Sequence, residues 1–104
     1  MARCTVVEYG RLYQDGGVPY PFPDEDSRTA TQAAMTSFAT SLQSAAFNAN
    51  TKWIVVSTDT AIHYHLGVDP TATNADAILP ANQSMLIPVG RKPTGKKLAI
   101  IAFA

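Results

Sequence analysis

His63 and His65 are separated by one residue, so a strand there places both imidazoles on one face. That spacing suits two direct ligands of zinc or nickel. Asp59 has the same parity and would add a third donor if the strand began early. The chain has two histidines and one cysteine, Cys4, so a complete site would need copies from a trimer meeting on an axis. The competing reading puts Ile62, Tyr64 and Leu66 on the core face and leaves His63 and His65 lining an oligomer interface. Histidines sit at surfaces without metal often enough to favour the second reading. The expectation is therefore no metal and no cofactor.

Residues 90–96, GRKPTGK, match the first seven positions of a phosphate-binding loop. The next residue is Lys97 where a magnesium-binding hydroxyl belongs, and the segment enters a strand instead of the helix N-terminus a phosphate needs. A lysine-rich β-hairpin connection with its tip at 93–95 explains it better. There is no G-x-S-x-G elbow, and Cys4 has no histidine nearby in sequence. Asp59, Asp69 and Asp76 sit where carboxylates cap turns. No enzymatic activity is expected.

The elements that hold these residues read as short strands. Residues 5–9, 35–43, 52–58, 62–66, 77–79, 84–89 and 97–103 carry β-branched, aromatic or alternating patterns. In 52–58, Trp53 and Val55 face one side and Ile54 and Val56 the other, with both faces covered. Residues 14–23, QDGGVPYPFP, read as no regular element. Pro19, Pro21 and Pro23 hold an extended strap on which Tyr20 and Phe22 alternate. Residues 27–34 read as irregular or a short helix. The fold class is all-β, a small β-sandwich or jelly-roll-like barrel with an extended proline-rich N-terminal arm. Residues 1–35 form the N-terminal strand and arm and 36–104 the sandwich core, one domain overall.

Composition narrows the partners. Formal net charge is zero and 15% of residues are charged, which argues against nucleic acid. The charges are segregated, with Asp15, Asp24, Glu25 and Asp26 early and Arg91, Lys92, Lys96 and Lys97 late, as in patches that dock head to tail. No apolar run is long enough to cross a bilayer, and MARCTVVEYG has no signal-peptide core. The expectation is no membrane partner and synthesis in a reducing cytosol.

Several segments together resemble small virion proteins of tailed bacteriophages. They are Gln43-Ser44-Ala45-Ala46-Phe47, the strand at 51–57, and Thr60-Ala61 leading to Leu66-Gly67. Asp69-Pro70-Thr71-Ala72-Thr73, Leu79-Pro80-Ala81 and the closing run 94–100 follow in order. The resemblance spans residues 43–103, and His63, Tyr64 and His65 are bulkier there than the small residues of that pattern. It implies a β-sandwich capsid cement or decoration protein, commonly a homotrimer, bound to the outer capsid surface of the virion after synthesis in the host cytoplasm. The implied partners are the major capsid protein and the chain itself. Val18, Tyr20, Phe22, Arg91, Lys92, Lys96 and Lys97 are the expected partner-binding residues. The alternatives are a tail or neck component, or a carbohydrate-binding module for host attachment.

Overall fold

In the computed structural model, residues 2–15, 18–90 and 95–103 are described, the side chains of 15 and 18–21 excepted. The strands are β1 (Cys4–Tyr9), β2 (Leu12–Asp15), β3 (Val18–Pro23), β4 (Arg28–Thr31), β5 (Leu42–Gln43), β6 (Trp53–Thr58), β7 (Ile62–Gly67), β8 (Ala77–Leu79), β9 (Gln83–Pro88) and β10 (Lys97–Ala102). A 3-10 turn at Glu25–Ser27 precedes β4, and the Asp24 carboxylate caps it by accepting from the Asp26 amide.

Two four-stranded antiparallel sheets carry the fold, ordered β4-β1-β6-β9 and β5-β10-β7-β8, and β2-β3 form a separate ribbon. Period-two alternation decides what lies between the sheets. Cys4 and Val6 of β1 and Ile54 and Val56 of β6 share one core with Ile62, Leu79, Leu98 and Ile100 of the second sheet. Each such side chain contributes about 1.5–3 kcal/mol by leaving water. Phe38, Phe47 and Val89 add to that core from the connections. The all-β sandwich architecture is the one the strand pattern predicts.

Several details differ from that pattern. First, 35–43 is not one strand: Met35 bridges Cys4 in the first sheet, while Leu42 pairs with Ile100 in the second. The segment crosses between sheets with Phe38 buried beneath it, so its alternation has no ladder to join. Second, Arg28–Thr31 is strand β4 on the edge of β1, where threonine suits a pleat. Third, 12–23 is a hairpin, with Asp15 opposite Val18 and Gln14 opposite Pro19. Pro19, Pro21 and Pro23 lack N–H groups on alternate residues, so β3 keeps its donors on one edge and pairs through that edge. Fourth, β9 and β10 lie in different sheets and do not pair with each other as the hairpin expected over 90–96 requires; residues 91–94 of that segment lie outside the described residues. Fifth, β1 sits inside the first sheet with β4 beside it, so these two N-terminal strands pair into the same sheet as β6 and β9. Trp53 and Val55 are half-buried, so the outer side of β6 is partly open and not covered.

Candidate docking site

β7 and β10 are neighbours inside the second sheet, and their register sets the outer face. Ile78, His63 and Ile101 stand side by side across β8, β7 and β10. Just past β10, the Phe103 amide donates to Ala61 O at 2.9 Å, and its ring stacks on His63 with centroids 5.2 Å apart. His63 is 4% exposed beneath this cover, whereas Ile78 is 47% and Phe103 51% exposed. A solvent-facing sheet surface normally alternates to polar residues. Here two large apolar groups remain in water.

The rim is polar. His63 Nδ1–H donates to the Asp76 carbonyl oxygen at 2.9 Å, since a carbonyl can only accept. His65 Nδ1 lies 3.2 Å from Asp76 Oδ1, and its side chain is half exposed. Asp76 Oδ2 accepts from the Thr73 amide at 2.7 Å. That amide, with His65 adding to it, holds the Asp76 carboxyl below its ordinary range. Both histidines thus share a face as their parity predicts, and both turn to Asp76. Asp59 instead accepts from the Arg3 amide at 2.7 Å. Among the described residues, no three His, Cys, Asp or Glu side chains are grouped to hold a metal.

The other predicted contact residues scatter. Phe22, 49% exposed, stacks on Tyr13 with ring centroids 5.5 Å apart, so the hairpin carries an aromatic pair. Val18 and Tyr20 lie in β3, and their side chains fall outside the described residues, as do Arg91 and Lys92. Lys96 is committed internally, donating from Nζ to Val89 O at 2.9 Å. Lys97 is half-buried in β10, opposite Gly67. The early acidic cluster is likewise engaged: Arg11 pairs with Asp24 at 2.8 Å, and Glu25 takes Arg28 and the Tyr9 hydroxyl. The Tyr9 hydroxyl first, then Arg28, holds the Glu25 carboxyl below its ordinary range. Two of the four acids are therefore spent within the chain.

Cys4 is fully buried, and desolvation, with Asp59 adding, pushes its thiol up to about 11. A thiolate is withheld at neutral pH, which removes the one sulfur nucleophile. A groove of about 460 Å³, lined by Ala2, Phe38, Ala39 and Ala102 together with the hydroxyl-bearing residues 36, 37 and 40, opens just before Phe103. What this surface can do is bind: apolar anchors on a rigid sheet, with a hydrogen-bonded rim. Asp76 caps its turn as its sequence position predicts, but its pairing with the histidines, and the places of Phe103 and Ile78 beside His63, depend on cross-strand register that no local motif records. No protein-family model, curated protein or solved structure matches the chain.

Proposed function

We propose that this chain is a structural virion protein of a tailed phage, a capsid cement or decoration protein that binds the outer surface of the head and clamps junctions between coat subunits. The observation that carries the reading is the pair Ile78 and Phe103, each about half exposed on one sheet face around a covered His63. Apolar anchors inside a polar rim are the anatomy of a protein-docking surface. The partner is the major capsid protein, and the Tyr13–Phe22 pair on the hairpin supplies a second contact. The capsid itself comes from the resemblance of residues 43–103 to phage virion proteins, which implies a β-sandwich, and the two antiparallel sheets of this chain agree with that implication. Self-association would add weak contacts into firm attachment.

Copy number per purified particle, measured by mass spectrometry against the coat protein, tests this. A ratio near one per coat subunit supports a capsid-wide clamp. A ring-sized number of copies would move the protein to the neck or tail and overturn the cement reading.

A further inference from the structure

The free edge of β9 is unlike the other edges of the molecule. β9 runs six residues, Gln83–Pro88, without a charge, and pairs with β6 in unbroken register. Among the described residues, no backbone hydrogen bond reaches its other side. The remaining edges are blunted. β2 has four residues and ends on Asp15, β3 carries alternating prolines, β4 opens with Arg28, β5 has two residues, and β8 has three and stops at Pro80. Long uncharged edges template strand addition, and proteins normally protect them.

The parity of the open edge follows from one bond. The Val89 amide donates to Lys52 O at 2.9 Å, so Gln83, Met85 and Ile87 turn their backbone groups toward β6. Ser84, Leu86 and Pro88 turn theirs outward. The edge therefore offers N–H groups at Ser84 and Leu86 and carbonyls at all three positions, since proline has no donor.

We infer that this edge joins a second copy of the chain, antiparallel and centred on Leu86, to make a continuous eight-stranded sheet across a two-fold axis. That register puts Leu86 opposite Leu86 and Ser84 opposite Pro88. Each Leu86 amide then meets a Leu86 carbonyl, and each Ser84 amide meets a Pro88 carbonyl. Every donor on the edge is used, and the donor that proline lacks is the one whose loss leaves just the Ser84 carbonyl to water. The pattern is self-complementary, as an isologous interface requires. No charge opposes itself across the axis. Because the axis stands perpendicular to the sheet, the half-buried outer row of Val7, Val55 and Leu86 continues on the same side into the second copy.

Sedimentation velocity over a concentration series tests the inference without any capsid, so it stands or falls apart from the cement reading. The wild-type chain is expected to reach twice its 11.1 kDa mass. Leu86→Lys places a charge on the axis, and Ser84→Pro removes an edge donor that does not serve β6. Each should weaken the dimer by about tenfold or more, while Thr31→Lys on the β4 edge should leave it unchanged. Amide exchange in the unsubstituted protein reads the same contact: Ser84 and Leu86 should be slow when concentrated and fast on dilution. A monomer at every concentration, or an oligomer indifferent to both β9 variants with those amides unprotected, overturns it.

Discussion

Thr51 and Glu8, 43 residues apart in sequence, meet at the margin of the core, where the Thr51 hydroxyl donates to Glu8 Oε1 at 2.7 Å. Glu8 is 1% exposed and Thr51 fully buried. The Asn48 amide donates to the same oxygen at 2.7 Å, and Gln32 Nε2 reaches Oε2 at 3.0 Å. One inward-facing carboxylate of β1 thus ties down both the residue after β4 and the turn before β6. A buried charge is tolerable on these terms because its oxygens keep the hydrogen bonds they had in water.

Replacing Glu8 by alanine strands those donors and should cost about 3 kcal/mol of stability. Thr51→Val, which keeps the volume and loses the hydroxyl bonds to Glu8 and Thr29, should cost about 1–2 kcal/mol. Urea unfolding of the two single variants and the double variant measures both. The double variant should fall well short of the sum, since the two residues act in one network. An additive result would mean that the two side chains do not stabilise one another.

Glu8 also shows where a sequence stops being legible. Val6, Ile54, Val56, Ile62, Leu98 and Ile100 announce their inward faces through alternation, because burial of apolar residues on a pleat repeats every second position. Glu8 continues that same alternation with the wrong chemistry, and its three donors come from distant turns. The His63 and His65 pairing was readable for the same reason as the core, being a matter of parity along one strand. Asp76 as their shared partner was not, since it depends on how β8 registers against β7. The segment 35–43 misled because alternation describes a strand equally well whether or not a neighbour exists to bond it.

Burial of Cys4 makes its thiol a reporter of unfolding. With the folded value near 11 and the ordinary value at 9.0, the folded state holds the proton through a window in which the unfolded chain releases it. Stability is therefore insensitive to this group below pH 9 and falls as pH rises from about 9 toward 11. A Cys4→Ala variant should lose that alkaline limb of the stability profile. At pH 8 an aromatic disulfide reagent should leave the native thiol untouched while titrating it fully in denaturant. Fast labelling of the native protein would show that β1 opens locally.

Asp76 should govern the acid behaviour of the docking face. Its folded carboxyl is held low, first by the Thr73 amide and then by His65, so its contribution is present above the unfolded value and is lost as pH falls through the folded one. The Thr73 amide should be protected, relative to its intrinsic exchange rate at each pH, in neutral solution and should lose that protection in acid below the ordinary aspartate range. Asp76→Asn should abolish that pH-dependent loss and release His65 from its partner. Two-dimensional NMR of the Thr73 amide and the His65 ring reads both effects in one titration. An amide that exchanges at the same rate in both proteins across pH would separate Asp76 from the loop it is drawn as closing.

Attachment to particles should depend on Phe103 and Ile78 more than on any charge. Both side chains are about half exposed, so Phe103→Ala and Ile78→Asp leave the core residues Ile62 and Leu79 in place and should cost the fold little. Central aromatic and aliphatic anchors typically carry 2 kcal/mol or more of binding, which corresponds to a loss of about thirtyfold in affinity. Binding of each purified variant to particles stripped of this protein measures that loss directly. Phe22→Ala in the hairpin should weaken binding less if it forms a second contact, and Lys97→Ala should leave it nearly unchanged. Binding that survives both patch substitutions and fails with Phe22→Ala would make the Tyr13–Phe22 hairpin the contact and leave the His63 face to another role.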